Sequence, residues 1–252
     1  MKEWVKKIAS IAPAVVVHPS PALSPAASEF AKQLHFRSAK AVVLQRRELR
    51  RGGAVPAGAG QAHPIDPDNY LAPDAFPNAT TLIVSRPADR HEPIPAVAKR
   101  MLSLKNLRLA AGRYGVRHDD ALHVLRMLAG HLHKGKLAGV MDPSRGNAVV
   151  QWSDQDVAGL PNIESFHIKP NVPPLSGRLF VEQTVRSLAK LPGIQEIKIE
   201  IEEGAVNDGI RNGISGAVDR PSVPFPAGFT VRFERVGESD VAVIARRVPA
   251  AM

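Results

Sequence analysis

Four arginines within six residues, Arg46, Arg47, Arg50 and Arg51, are the most concentrated chemical feature of this sequence. On a helix that spacing gathers them on one side, where neighbouring guanidiniums can grip phosphates through charge-assisted hydrogen bonds. The surrounding charge agrees. Residues 1–150 hold 22 Lys and Arg against 11 Asp and Glu, a net +11, while residues 151–252 sum to −2, giving +9 for the chain. A cationic half beside a near-neutral half suits a polyanion held on one side, because each neutralised phosphate releases counterions. A basic surplus also suits a solvated face, an acidic protein or anionic lipid.

Other reactive side chains lack the spacing that reactivity needs. Eight of the nine histidines precede residue 150. On a helix His131 and His133 project about 200° apart, and His118 and His123 about 140°, so neither pair can chelate one ion. Gly213-Ile214-Ser215-Gly216-Ala217 has no strand directly before its serine, and Pro221, Pro224 and Pro226 forbid a long helix after it, so a flexible loop is expected rather than a hydrolase elbow. Gly209, Gly213 and Gly216 lack the lysine and spacing of a phosphate loop. Glu200, Glu202 and Glu203 read as the charged outer face of a strand beside Lys198. No catalytic residue, metal, cofactor or small-molecule substrate is expected.

The 252 residues allow one large domain or two small ones. No apolar run approaches the roughly 18 residues of a membrane span. Cysteine is absent, which excludes disulfides and thiolate zinc sites. Proline at 22 positions, with only 5% aromatics, suggests much extended chain.

The elements that would position the basic residues divide the chain into four parts, 1–27, 28–79, 80–152 and 153–252. The first 12 residues place Trp4, Val5, Ile8 and Ile11 on one helical face opposite Lys2, Lys6 and Lys7, as in a surface helix or a mitochondrial targeting peptide. The run from Pro19 to Pro25 is too proline-dense for regular structure. A helix is expected from Ser28 to Arg51, ending at Gly52-Gly53, and then a long loop over residues 52–80 that crosses a partner's surface. Thr81–Ser85 reads as a strand, Pro95–Ala111 as a helix, and Asp119 starts another helix carrying Ala121, Leu125, Leu128 and Leu132. A hairpin is expected to pair Leu137–Met141 with Ala148–Trp152. The last hundred residues suggest a separate two-layer unit. A helix from Ser176 to Leu191 covers a three-stranded, mostly antiparallel sheet built from Ile197–Ile201, Phe229–Phe233 and Val241–Val248. The expected class is α+β, a small basic mixed core plus this unit, with long extended N-terminal segments.

The order strand, helix, Leu102-Ser103-Leu104-Lys105-Asn106, Val116-Arg117-His118-Asp119-Asp120, then a helix ending Gly130-His131-Leu132 resembles the small large-subunit ribosomal protein conventionally numbered thirty. The likeness covers about 55 residues. It implies that Arg86, Arg90, Lys99, Arg100, Lys105 and Arg108 face ribosomal RNA, and Arg113, Arg117 and Arg145 complete the expected RNA-binding set with the four arginines above. The same region, read as helix, Gly115 turn, helix and hairpin, is also similar to the winged helix that ends scaffold subunits of proteasome-lid and initiation-factor assemblies, with Arg145 at the wing tip. The first likeness implies a structural, RNA-binding constituent of a mitochondrial ribosome, working in the matrix among neighbouring proteins. The second implies a non-catalytic scaffold subunit of a protein assembly, in the cytoplasm or elsewhere.

Overall fold

One spacing of apolar residues, three, three and two positions apart, recurs five times along the chain. The sets are Phe36-Ala39-Val42-Leu44, Phe76-Ala79-Leu82-Val84, Met101-Leu104-Leu107-Leu109, Leu160-Ile163-Phe166-Ile168 and Leu191-Ile194-Ile197-Ile199. The computed structural model describes residues 2–17, 24–45, 70–85, 94–110, 116–129, 131, 137–141, 150–170, 176–202, 208–236 and 240–249. In it every member of these sets is buried except Phe36, which is partly covered. In four sets the first two members close a tight turn: the N–H of Ala39, Ala79, Leu104 and Ile194 donates to the carbonyl of Phe36, Phe76, Met101 and Leu191 at 3.1, 3.3, 3.2 and 3.4 Å. The last two members follow on an extended strand, where residues two apart share a face.

These strands form one mixed sheet. In chain order they are β1 (Ala14–Val17), β2 (Ala41–Gln45), β3 (Thr81–Ser85), β4 (Asn106–Ala110), β5 (Leu137–Met141), β6 (Ile163–Ile168), β7 (Glu196–Glu202), β8 (Phe229–Val236) and β9 (Asp240–Arg247). Their order across the sheet is β1-β2-β3-β4-β5-β6-β7-β9-β8. The first seven are parallel and sequential, while β9 runs antiparallel between β7 and β8. The repeated spacing stacks in register, so that Val42, Leu82, Leu107, Gly139, Phe166 and Ile197 make one row and Leu44, Val84, Leu109, Met141, Ile168 and Ile199 the next. The Phe36 and Phe76 rings stack 5.5 Å apart in the same progression. The Phe166 ring meets Trp152 edge-on at 6.1 Å and fills the space over Gly139, where a Cβ would lie 3.0 Å from it.

Seven helices lie among the described residues: α1 (Lys2–Ile11), α2 (Pro25–Ala31), α3 (Ile94–Ala98), α4 (His118–Leu128), α5 (Asp154–Val157), α6 (Gly177–Leu188) and α7 (Asp208–Asp219). Each starts for a local reason where a cap is present. The Ser24 side chain accepts from Ala27 N–H with Pro25 in the first turn, Ser153 and Asp156 form a reciprocal capping box, and Ser176 accepts from Leu179 N–H. Asp119 and Asp120 sit at the positive end of α4. Each crossover from β1 to β7 advances by one strand in the same direction, and right-handed connections then place the helices on one face. The alternating burial of β2, β3 and β4 agrees.

Several expectations are corrected by this architecture. The chain is α/β with a mostly parallel sheet, not a small core beside a separate unit. The antiparallel arrangement of the last three strands is present, but β7 also pairs in parallel with β6, and β6 with β5, so the sheet continues across residues 152 and 153. Two helices, α6 and α7, pack together over this end rather than one. The stretch from Ser28 to Arg51 holds the end of α2 and then β2. Pro95–Ala111 divides into α3 and β4. Leu137–Met141 is a strand as expected, but both its edges are taken by β4 and β6, each parallel, so it does not pair with Ala148–Trp152; residues 142–149, where the wing tip would lie, are outside the described residues. Val150 and Trp152 are buried outside any strand, and Ala148 lies outside the described residues. Residues 70–80 are irregular as expected, yet Tyr70, Leu71, Ala72, Ala75, Phe76 and Ala79 are buried in the chain's own core instead of crossing a partner.

Gly213-Ile214-Ser215-Gly216-Ala217 is helical, inside α7, and not a loop. Packing outweighs the poor helix propensity of glycine here. Gly177 on α6 meets α7 so closely that a Cβ would stand 2.7 Å from the Ile210 carbonyl oxygen, and Gly213 faces Gly177 across the contact. Arg178 then donates to the Gly216 carbonyl at 3.2 Å and to that of Arg220, closing the C-terminal end of α7. The buried Glu182 holds Arg178 at 3.4 Å and Arg186 at 3.7 Å and accepts from Ser222 N–H at 2.7 Å.

Candidate binding face of the sheet

Because the helices cover one side, the alternate residues of β1 to β7 form a face that the helix layer leaves partly or fully exposed among the described residues. Its composition changes across the sheet. Val16, Val43 and Ile83 lie side by side on β1, β2 and β3, with Ala14, Ala41 and Thr81 in the adjacent row. Exposed Asn106 and Arg108 follow on β4, then Ala138 and Val140 on β5. On β6 and β7 the row holds His167 beside Lys198, on β9 it turns to buried Ile244, with Ala242 also buried on that face, and Glu196 pairs with Arg246 at 2.7 Å. Among the described residues, the bare-face strand positions include no Phe, Tyr or Trp; the aromatic residues of β6 and β8, Phe166, Phe229 and Phe233, lie in the rows of the covered face.

The most organised group on this face is built by the pairing of β6 with β7. His167 and Lys198 are in register, Glu200 lies two residues on, and Lys169 follows the end of β6. Glu200 Oε2 is 3.1 Å from His167 Nε2 and 2.5 Å from Lys198 Nζ, while Lys169 Nζ donates to Oε1. The Glu200 side chain is only 11% exposed. Burial alone would raise its carboxyl, but the hydrogen bonds from Lys169 and Lys198 and the nearby His167 overcome this and bring it down to about 2. For His167, burial lowers the imidazole pKa, and Lys198 and Lys169 push the same way against the attraction of Glu200. The imidazole is therefore neutral at pH 7.

Both shifts have the same sign for stability. A depressed native pKa stabilises the fold above the unfolded value and loses that contribution as pH falls toward the native value. The His167 contribution is complete above its ordinary 6.5 and declines below it, whereas that of Glu200 is complete above 4.5 and is lost between 4.5 and about 2. Thermal melts between pH 7 and pH 2 should show a falling acid limb. Glu200→Gln flattens its lower part, and His167→Gln its upper part.

The residues expected to meet RNA are distributed differently. Arg46, Arg47, Arg50, Arg51, Arg86, Arg90, Arg113 and Arg145 lie outside the described residues. Arg100 belongs to the core: it is 4% exposed, and its guanidinium donates to the carbonyls of Ala72 at 3.0 Å, Leu71 at 3.3 Å and Ala96. It is withdrawn from any RNA-facing surface. Lys99, Lys105, Arg108 and Arg117 are exposed but do not converge. Lys99 follows α3 and Lys105 precedes β4, at the end of the sheet where strands begin. Arg117 precedes α4 at the opposite end, and Arg108 is on the bare face.

No group of three or more His, Cys, Asp or Glu side chains suited to a metal occurs among the described residues, and no helix among them is long and apolar enough to cross a membrane. The Ser215 hydroxyl donates to Asp219 at 3.2 Å on its own helix. Sequence reasoning placed Lys198 and Glu200 on an outward face but missed His167 and Lys169. The shared signal is the repeated three-three-two spacing, which fixes β6 against β7. No known protein family matches the chain, and no curated protein is similar to it.

Proposed function

We propose that this chain is a non-catalytic binding subunit that holds another macromolecule against the bare face of its sheet. The observation that carries this reading is the winding: seven sequential parallel strands bury one set of alternate residues on the helix side and, among the described residues, leave the other set partly or fully exposed. Sheets and solenoids built from stacked units use such extended surfaces for partners, since the surface spans many strands without interruption. The aliphatic character of the face at β1–β3 and β5, and its lack of stacking aromatics among the described residues, favour a polypeptide over nucleic acid. The test is assembly. The wild-type protein is expected to sediment in native extract as part of a larger complex, and Ile83→Glu with Val140→Glu should return it to monomer size without a large change in melting temperature. Unchanged sedimentation of that variant would sink the reading.

A second reading rests on the charge of the first 150 residues. In the sequence Arg46-Arg47 directly follow β2, Arg86 directly follows β3, and Arg113 and Arg145 come soon after β4 and β5. Parallel strands end along one edge, so the chain leaves the sheet at that edge each time. This supports a constituent of a ribonucleoprotein, with ribosomal RNA and neighbouring proteins as partners and the mitochondrial matrix as its place. It requires RNA affinity that falls steeply with salt and drops further when Arg46, Arg47, Arg50 and Arg51 become Ala. Cosedimentation with ribosomal particles in high salt is the decisive measurement.

A further inference from the structure

Resting on the reading of the bare face as the binding surface, we infer that its occupant is an extended polypeptide segment, acidic at one end and aliphatic at the other, lying across the strands from β7 toward β2. The acidic end is called for by the group around Glu200. Lys169 and Lys198 converge on this one carboxylate, at hydrogen-bonding distance on opposite oxygens, with His167 Nε2 at 3.1 Å. An ammonium carries three donors. Glu200 engages each ammonium once, so donors and one net positive charge remain on a face where the Lys169 and Lys198 side chains are 46% and 25% exposed.

Glu200 also fixes where those ammoniums stand. Lysine side chains normally lose considerable rotamer freedom on binding, whereas these two are already held together by an internal carboxylate. An incoming Asp or Glu side chain meets preorganised donors in a half-desolvated setting, where a charge-assisted bond is stronger than in water. Along the same row Val140 on β5 and exposed Arg108 on β4 follow His167.

Beyond Arg108 the row becomes Ile83 and Val43, which favour aliphatic side chains. Five strand steps separate Lys198 from Val43. At about 4.8 Å per step this is roughly 24 Å, the reach of about seven extended residues at about 3.3 Å each. The span therefore fits a short linear segment rather than one docked side chain. Nucleic acid would satisfy the lysines but would leave the aliphatic half of the row without a matching surface.

Fluorescence anisotropy with four labelled probes tests the inference. They are an octapeptide of three Glu followed by alternating Val and Thr, its counterpart with Gln for Glu, an all-Glu octapeptide, and an eight-nucleotide uridine RNA. The Glu-Val-Thr peptide is expected to bind at least tenfold more tightly than the other three. The variant Lys169→Ala, Lys198→Ala, Glu200→Gln, which removes the lysines without stranding the carboxylate, should lose that preference and still bind the Gln peptide as before. Equal binding of the Glu and Gln peptides, both lost in Ile83→Glu with Val140→Glu, would overturn this inference and leave the binding-face reading standing. Preference for the RNA or for the all-Glu peptide, or no peptide binding at all, would also overturn it. The sedimentation of the Ile83→Glu, Val140→Glu variant judges the binding-face reading separately.

Discussion

Replacing Phe166 by Ala is expected to lower the free energy of unfolding by about 3–5 kcal/mol, the usual cost of deleting a buried aromatic ring. Phe166 is 2% exposed, meets Trp152 edge-on and fills the space that Gly139 leaves on the neighbouring strand. The two residues are complementary in volume within one cross-strand row, large on β6 where β5 has no side chain. Gly139→Leu alone should cost about 1–3 kcal/mol, because its side chain enters the ring's volume. The double variant places a leucine in the hole left by Phe166→Ala, so its cost should fall short of the sum of the two by at least about 1 kcal/mol. Urea unfolding of the four proteins measures this. Additive costs would mean that the row does not pack as described.

Arg100→Ala is expected to cost about 2–5 kcal/mol by a different route. Irregular backbone is normally at the surface because its polar groups need water. Tyr70, Leu71, Ala72, Ala75, Phe76 and Ala79 are instead packed inward, and the Arg100 guanidinium supplies donors to the carbonyls of Leu71 and Ala72 there and to Ala96 on α3. Truncation removes the donors to the buried Leu71 and part-buried Ala96 carbonyls, at about 1–3 kcal/mol for each acceptor left bare, while the Ala72 carbonyl keeps the Ala75 N–H at 3.2 Å. Arg100→Met keeps much of the volume but no donor, so it should be nearly as damaging as Ala. Recovery of wild-type stability in Arg100→Met would show that packing alone matters. Hydrogen exchange should locate the loss in residues 70–79, and the folded variant should bind RNA no differently from wild type.

The same arginine illustrates what the sequence conceals. Its neighbours Lys99 and Lys105 are exposed, and nothing in the local pattern separates the one basic residue that turns inward. The C-terminal strands were legible because Ile197, Ile199 and Ile201 alternate with polar residues and because caps and the Pro192-Gly193 break bound α6. β4 was not, since Leu107, Arg108, Leu109 and Ala110 are good helix formers, and only pairing with β3 and β5 makes them a strand. β5 was found but given a local partner, as strands usually are. Parallel partners lie a whole crossover away, where short-range pattern carries no information. α7 was hidden by its glycines, whose reason is the contact with α6. The bare-face group needed the β6–β7 register before Lys169 and His167 could be seen beside Glu200.

Thirty-five residues separate Gln45 from Thr81 and 20 separate Ser85 from Asn106, yet β2, β3 and β4 keep an unbroken five-residue match. Closing a longer connection adds only about 0.6 kcal/mol for each doubling of its length. In a sheet wound strictly in order, an insertion at a crossover displaces no strand from its neighbours. Such a molecule can lengthen piecemeal over generations, gaining novel segments along a rim while the supporting lattice stays the same.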